Sequence, residues 1–298
     1  MSILEAEAAE LNIEQPSGLW RDAFDRMRHN PGAIIGAIIV GLFIVLAVFA
    51  PAVAPHGANE RVESPTATPE GPSSEFKMGL DKQGRDYMSR IIHGTRLSLL
   101  VGVVSVAVGL SLGLLFGAMA GYFGGWLDSV IMRVMDILLA FPGFLLAIGL
   151  VTALGPGLWQ IMIAVGITNV PQFARVLRSS VIAQRESDYV LAARSLGARG
   201  RRLLLRHVLP NSLAPVIVQA TLAMATAIID VAGLSYVGLG PNDPSLPEWG
   251  KMLADSAARL ETGTHLVLFP GFAIVISVLG LNLIGDGLRE ALDPRLKS

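Results

Sequence analysis

Residues 189–210 read YVLAARSLGARGRRLLLRHVLP, a stretch that holds five arginines and one histidine. Apolar runs over 158–176 and 207–229 flank it, and each is long enough to cross a bilayer as a helix. Because charge is costly in hydrocarbon, the basic stretch is expected to lie at a membrane surface, where it joins two spans.

The composition indicates an all-α polytopic membrane protein. The chain has 298 residues, of which 52% are hydrophobic and only 16% charged, whereas soluble domains carry about 25% charged residues. There are no cysteines, which excludes disulfides and cysteine-ligated metals. The formal net charge of −1 gives no indication of a nucleic-acid partner, and none is expected.

Runs with little charge predict six membrane-spanning helices. The run over 137–174 would extend about 57 Å as one helix, at ~1.5 Å per residue. Gly155-Pro156-Gly157 is therefore expected to turn it back. The predicted spans are 32–54, 97–127, 131–154, 158–176, 207–229 with an extension to about 238, and 262–285.

The positive charges lie mainly in three segments, 1–31, 181–206 and 287–298, which the positive-inside rule assigns to the cytoplasm. The first segment is too long and too acidic for a signal peptide. The predicted organisation is a cytoplasmic segment 1–31, a first transmembrane helix 32–54, an external loop 55–96, a transmembrane core 97–286 containing a cytoplasmic loop at about 181–206, and a cytoplasmic tail 287–298.

The basic loop has a defined local pattern. Residues 189–196 are predicted to form a helix capped by Ser187 or Asp188. Gly197 and Gly200 are expected to bracket a turn before a second helix. A loop that only fixes membrane topology needs neither the small alanines of the first helix nor glycines at two defined positions.

The second helix is expected to start near Arg201, and Arg199, Arg202 and Arg206 stand three and four apart on one face. Three interpretations remain open for the loop. It could be a solvated loop that only fixes topology, a surface for anionic lipid headgroups, or a docking surface for a cytoplasmic protein.

The loop resembles the EAA motif in permease subunits of ABC importers, which reads Glu-Ala-Ala, three residues, Gly, nine residues and Ile-x-Leu-Pro. Leu191 and His207 depart from it, because they stand where the family has Glu and Ile. The matching positions are Ala192, Ala193, Gly197, Leu209 and Pro210.

Two further segments are similar to peptide-type importer permeases: GLDKQGRDYMSRIIHGTRLSL over 79–99 and LSYVGLGPNDPSLPEWGKMLADS over 234–256. The resemblance covers about 75–296, ends on GDGLREALDPRL at 285–296, and points to the second of two paired permeases in the dipeptide, oligopeptide and nickel group. The fitting residues are Asp81, Gly84, Arg85, Asp86, Ser89, Arg90, Gly94, Arg96, Ser98, Gly238, Leu239, Gly240, Trp249, Gly250 and Met252.

This resemblance implies a type I ABC importer permease fold in the bacterial plasma membrane, with both termini cytoplasmic. The implied partners are a homologous permease in a heterodimer, two cytoplasmic ATPase subunits and an external solute-binding protein. The implied cargo is a di- or oligopeptide. No cofactor is expected in this chain, since ATP and Mg would be bound by the ATPases, and the chain would not itself be an enzyme. The implied ATPase-coupling residues are Leu191, Ala192, Ala193, Arg194, Ser195, Leu196, Gly197, Ala198 and Arg199.

Asp136 and Asp230 interrupt apolar sequence. Intramembrane carboxylates face a bundle interior, water or a partner, so both are candidates for the translocation path or for a charged helix contact. The simpler structural interpretation makes Arg133 and Asp136 an i, i+3 pair at the end of a span and puts Asp230 near the interface.

Two other functional classes compete with the importer. A secondary carrier would use Asp136 or Asp230 as a proton site, although no internal repeat typical of such carriers is evident. A scaffold without a transport role would not need the three motif segments. Neither His93 nor His207 has a partner at metal-ligand spacing, and no metal site is expected.

Overall fold

The structure is a computed structural model that describes residues 19–63, 71–257 and 263–292. Within these residues the regular structure consists of helices and two isolated β-bridges. The helices are α1 (Leu19–Met27), α2 (Pro31–Val53), α3 (Tyr87–Phe123), α4 (Gly125–Ala140), α5 (Gly143–Leu154), α6 (Leu158–Arg185), α7 (Asp188–Ser195), α8 (Gly200–Leu203), α9 (Leu209–Ser212), α10 (Ala214–Leu234), α11 (Trp249–Ala257) and α12 (Thr264–Leu292).

Helices α3 and α6 form the centre of the bundle, and glycines bring them together. Four buried glycines recur every fourth position along one face of α3. A Cβ at Gly109 would lie 2.7 Å from the carbonyl oxygen of Gly166, and one at Gly117 would lie 2.6 Å from that of Ala174. Small residues let membrane helices approach closely and gain packing contacts. The four glycines, called the glycine row below, are Gly109, Gly113, Gly117 and Gly121.

Helix α2 matches the first predicted span, and it packs on α12. Asn30 caps it by accepting a hydrogen bond from the Ala33 amide at 3.0 Å, and the Asn30 side chain donates to Glu290 Oε2 at 2.6 Å. A Cβ at Gly36 would lie 2.7 Å from the Gly280 carbonyl oxygen. The start of α2 and the end of α12 are therefore joined by the hydrogen bond from Asn30 to Glu290, and the contact between Gly36 and Gly280 holds the two helices together further along.

The second span was predicted to start at residue 97, with an external loop over 55–96, and both boundaries are wrong. Helix α3 begins at Tyr87, because Asp86 caps it by accepting hydrogen bonds from the amides of Met88 and Ser89. Its first turns carry polar side chains that are satisfied inside the protein, so a search for uncharged sequence does not detect them.

The third span was predicted as one helix over 131–154, and this is also wrong. Helices α4 and α5 meet at an angle of 94°. Pro142 lacks an amide hydrogen and biases the residue before it away from helical geometry. Accordingly, Phe141 is extended, with φ −90° and ψ 136°.

By length and apolar composition, four helices of the described residues can cross a membrane: α2, α3, α10 with its π-helical extension Ser235–Leu239, and α12. The bent pair α4–α5 can supply a fifth. Helix α6 follows the predicted reversal at Gly155–Gly157 and continues past residue 176 to Arg185. It is long enough to span, at about 42 Å for ~1.5 Å per residue, but Gln160, Asn169, Gln172 and Arg175 lower its apolar content.

Helix α12 continues to Leu292, beyond the predicted end at residue 285. The rest of the predicted tail, 293–298, lies outside the described residues, as do residues 1–18 of the predicted N-terminal segment.

Replacing Gly113 by valine is expected to destabilise the bundle, because a Cβ there would overlap the Cβ of Phe173. Overpacking of this kind costs ~1–3 kcal/mol. The measurement is the thermal midpoint of the purified protein in detergent, read by size-exclusion fluorescence. Gly149→Val is the matched control, since nothing lies within 4 Å of a Cβ at that position. Equal midpoints for the two variants would contradict the proposed packing role of the glycine row.

Candidate functional site

The basic loop folds as predicted into a helix, a glycine turn and a second helical stretch. Helix α7 spans Asp188–Ser195, and Ser187 occupies the N-cap position without a side-chain capping bond. The Ser187 hydroxyl instead donates to the Gln184 carbonyl at 2.6 Å, which fastens the loop to the end of α6. The second stretch runs through α8, a π-helical segment Leu204–Val208, and α9.

Three apolar side chains anchor the loop in the main core. Val190 and Val208 are fully buried and Leu203 is nearly so. They belong to the same apolar cluster as Leu177 and Val181 of α6. Since cores of this kind are close-packed, displacement of the loop has to move the helices that hold these side chains.

The hydroxyl of Tyr189 connects the two halves of the loop. It lies 2.6 Å from Gln184 Oε1 and 3.1 Å from the His207 carbonyl oxygen, either of which can accept its proton. It also accepts a hydrogen bond from Asn211 Nδ2 at 3.2 Å. Asn211 in turn donates to the His207 carbonyl at 2.7 Å.

The turn after α7 is a Schellman motif that depends on Gly197. Its φ is +85°, a left-handed conformation that side chains disfavour. The Ala198 amide donates to the Ala193 carbonyl at 3.1 Å, and the Gly197 amide donates to the Arg194 carbonyl at 2.9 Å. Nothing lies within 4 Å of a Cβ at Gly197, so the turn projects into open space.

One surface of this motif faces solvent, and it contains most of the predicted coupling residues. Leu196, at 90% exposed, stands out among the large apolar side chains. Ala193 and Ala198 are partly buried and pack against the core. The exposed members are Leu191, Ala192, Arg194, Ser195, Leu196, Gly197 and Arg199. With α7 they are called the α7 ridge below.

Leu191, which stands where the family has Glu, is 44% exposed. It borders a surface cleft of about 430 Å³ together with Tyr122, Arg185, Glu186 and Arg194. The cleft connects the ridge to the end of α3, because Arg185 Nη1 donates to the Tyr122 carbonyl at 2.9 Å. The Tyr122 hydroxyl donates to the Gly200 carbonyl at 2.7 Å.

Asp136 pairs with Arg175 of α6 rather than with Arg133. The distance from Asp136 Oδ1 to Arg175 Nη2 is 2.6 Å, and both side chains are about half exposed. A second pair, Asp128 with Arg178 at 2.5 Å, also joins α4 to α6. Neither pair is local in sequence, so spacing gave no signal for them.

Asp230 lies on α10, far from the loop, and is half-buried. It makes no hydrogen bond or ion pair within the described part of the chain. The structure therefore does not bring the two predicted aspartates into one site.

The residues of the 79–99 motif assemble at the start of α3, away from the ridge, into a buried charged cluster. Arg85 Nε donates to Asp81 Oδ2 at 2.7 Å, and Arg90 Nε lies 3.6 Å from the same oxygen. Both arginines also donate to the Pro244 carbonyl, at 3.0 and 3.3 Å, and to Asn59 Oδ1, at 3.3 and 3.1 Å. The cluster thus fastens three separate chain segments together.

Residues of the 234–256 motif pack against the same first turns of α3. Trp249 is fully buried, and its ring nitrogen donates to the Ile91 carbonyl at 3.1 Å. A Cβ at Gly94 would overlap the Pro247 carbonyl oxygen and crowd the Trp249 ring. Glu248 caps α11 by accepting from the amides of Gly250 and Lys251 at 2.8 Å each, although its burial raises the pKa of that carboxyl.

Residues 113–298 match a family described as binding-protein-dependent transport system inner membrane component, and residues 18–68 match the N-terminal TM domain of oligopeptide transport permease C. The chain is 49% identical to the dipeptide transport system permease protein DppC of Alkalihalophilus pseudofirmus, over 94% of this chain and 91% of the relative. It is 44% identical to the di/tripeptide transport system permease protein DppC of Pseudomonas aeruginosa, over 98% and 97%.

The glutathione transport system permease protein GsiD of Pectobacterium atrosepticum is 41% identical, over 94% of this chain and 92% of the relative. Among solved structures, the inward facing MetNI methionine ABC transporter in its native crystal form has a TM-score of 0.58 at 19% identity. That likeness covers 69% of this chain and 97% of the solved one, and it concerns the fold alone.

Tyr189→Phe is expected to loosen the α7 ridge, because it removes the hydroxyl that joins the two halves of the loop. A hydrogen bond contributes about 1 kcal/mol, so amide hydrogens of α7 should exchange roughly fivefold faster. Hydrogen exchange with mass spectrometry measures this. The control is Tyr236→Phe, whose exposed hydroxyl makes no hydrogen bond in the described residues. Unchanged exchange in α7 would show that the network does not hold the ridge.

Asp81→Asn is expected to destabilise the charged cluster, since it leaves Arg85 and Arg90 buried with uncompensated charge. Removing one partner of a buried ion pair costs about 3–5 kcal/mol. The thermal midpoint of the purified protein tests this, with Asp25→Asn as the control for an exposed pair. A midpoint equal to that of the control would contradict a structural role for the cluster.

Proposed function

Since the chain belongs to the family of binding-protein-dependent transport system inner membrane components, and is a permease subunit of an ABC transporter, we propose that its cargo is a di- or oligopeptide. The observation that carries the proposal is the 49% identity to a dipeptide permease over 94% of the chain. The other relatives named above serve di/tripeptides and glutathione, which are also short peptides.

The proposed assembly is a heterodimer of this chain with a homologous permease, two cytoplasmic ATPase subunits and an external solute-binding protein. The family description, which names binding-protein-dependent transport, supports the last of these. The chain is a non-catalytic subunit in this assembly, and the ATPases bind ATP and Mg. The assembly lies in the bacterial plasma membrane with both termini in the cytoplasm, as the distribution of arginine favours.

The α7 ridge is the proposed contact with the ATPase. Its support is the combination of a solvent-exposed ridge with buried anchors at Val190, Leu203 and Val208. A solvated topology loop needs no such anchors, and a lipid-binding helix presents Trp or Phe on one face. Movement of a bound ATPase would pass through the helical stretch Gly200–Ser212 directly into α10.

Leu191 makes part of the ridge surface apolar at a position where the motif has a carboxylate. A carboxylate at that position would offer polar contacts, whereas the exposed leucine offers an apolar one beside Arg194. We therefore expect the ATPase surface opposite Leu191 to be apolar and the surface opposite Arg194 to be acidic.

The carrier and scaffold alternatives find no support among the relatives, which are permeases of transport systems. Of the two aspartates that a proton carrier could use, Asp136 is engaged by Arg175, which leaves only Asp230 without an ion pair among the described residues.

Gly197→Asp is the direct test of ATPase contact. The substitution strains a left-handed turn and adds charge to the ridge, so ATPase co-purification and peptide uptake should both fall while membrane insertion persists. A loss of about tenfold in uptake corresponds to ~1.4 kcal/mol of lost interaction. Tagged permease is purified from membranes, its ATPase content is measured, and uptake of labelled alanyl-alanine is followed in the same cells.

The matched control is Gly155→Asp. Gly155 also has a positive φ, +91°, with nothing within 4 Å of its Cβ, but it lies at the other end of α6. The control should retain its ATPase. If both variants keep ATPase and uptake, the docking surface lies elsewhere; if wild-type complex imports no dipeptide, the proposed cargo is wrong.

A further inference from the structure

Asp230 is a half-buried carboxylate on a membrane-spanning helix, and the described residues provide no partner for it. It stands on α10 about 24 Å along the helix from Ala214, at ~1.5 Å per residue. It is half-buried, yet no hydrogen bond or ion pair reaches it from any residue that the structure describes. An ionised carboxylate facing hydrocarbon costs several kcal/mol, so Asp230 has to face water, a partner or a ligand.

Asp230 shares one face of α10 with other polar side chains, although its sequence neighbour Ile229 is also exposed. Gln219, Thr226 and Asp230 are seven and four positions apart, which puts them on one face of α10. Gln219 Nε2 donates to Gln172 Oε1 of α6 at 3.0 Å, so the polar surface extends onto the neighbouring helix. Gln172 and Thr226 are exposed. We call these four residues the polar strip.

Helix α2 shows what a lipid-facing surface looks like in the same chain. Its large exposed side chains are Ile, Leu, Val and Phe, for example Ile38, Leu42 and Val48. A strip with two amides, a hydroxyl and a carboxylate fits a water-filled path between permeases far better than hydrocarbon.

The charge of the strip indicates what it binds. Asp230 supplies its negative charge, and no ion pair reaches that carboxylate from any residue that the structure describes. A cation is therefore the complementary ligand. A short peptide carries one at its amino terminus, because an α-ammonium group has a pKa of about 7.7–8.0 and is largely protonated at neutral pH.

We propose that Asp230 is a cargo-binding residue of the translocation path that receives the α-ammonium group of the peptide, while Gln219 and Gln172 line the path about 16 Å further along α10, at ~1.5 Å per residue. This inference rests on the proposed peptide cargo. If Asp230 has this role, the permease itself selects peptides that have a free amino terminus, after the binding protein has made a first selection. The carboxyl end of the peptide is repelled by Asp230, so the peptide is oriented as it enters.

The first experiment uses the assembled transporter in proteoliposomes with saturating binding protein, ATP inside and alanyl-alanine as cargo. Asp230→Asn should lower the uptake rate about tenfold, the effect of losing a hydrogen bond to a charged group. Asp230→Glu keeps the charge and should retain most of the uptake. Asp243→Asn removes an exposed carboxylate outside the spans and should import at the wild-type rate.

The second experiment uses the absence of cysteine from this chain. In Asp230→Cys the single thiol should react with a cationic, membrane-impermeant thiol reagent if it faces water, and alanyl-alanine delivered by the binding protein should slow the reaction. Mass spectrometry of this chain reads the labelling. The Thr226→Cys variant, on the same strip, should behave likewise, whereas Ile38→Cys on the lipid-facing surface should stay unlabelled.

Three results would overturn the inference: uptake by Asp230→Asn at the wild-type rate, a thiol at position 230 that does not react, or loss of the partner permease from Asp230→Asn but not from Asp230→Glu. The last would assign Asp230 to an ion pair with the other permease. If the wild-type complex imports no dipeptide, the proposed cargo is wrong, and the ammonium assignment fails with it. If the wild-type complex and Asp230→Asn both import dipeptide normally, the cargo stands and only the role of Asp230 is wrong.

Discussion

The close approach of α3 and α6 is the constraint on which the rest of the structure depends. The glycine row removes side chains from one face of α3, so the backbone of α6 lies against it along about 18 Å, at ~1.5 Å per residue from Gly109 to Gly121. In a membrane, where apolar side chains gain little by leaving lipid, this kind of backbone packing is a main source of helix association. Two ion pairs from α4 reinforce the position of α6.

Because α3 and α6 are fixed together in this way, the two ends of the helix pair can do different things. At the start of α3, the buried cluster around Asp81 and the packed Trp249 fasten loops to the bundle. At the other end, α6 carries the α7 ridge, which is held by buried valines but leaves its outer surface open. A rigid helix pair that is fastened at one end and exposed at the other is suited to transmit movement between a cytoplasmic partner and membrane helices. The polar strip on α10 and α6 lies between these ends.

Much of this arrangement is readable from the sequence, and the exceptions have physical causes. The α7 helix, its glycine turn and the reversal at Gly155–Gly157 follow from local rules, and the structure has them within a residue or two. The start of α3 and the bend at Pro142 were missed, because a search for uncharged runs ignores a helix whose polar turns are satisfied inside the protein. The glycine row was overlooked although its four-residue spacing is visible in the sequence. The pairs Asp136–Arg175 and Asp128–Arg178 are non-local and leave no such signal.

The central claim is that the exposed surface of the α7 ridge touches the ATPase. Leu196 is its most exposed apolar side chain, and the chain has no cysteine, so Leu196→Cys can carry a single photoactivated cross-linker. Trp159→Cys provides the reference, since Trp159 is 61% exposed at the opposite end of α6. The account predicts a cross-linked product between position 196 and an ATPase subunit in the assembled transporter, and none from position 159. A transport-competent complex that yields no ATPase product from position 196 would contradict it.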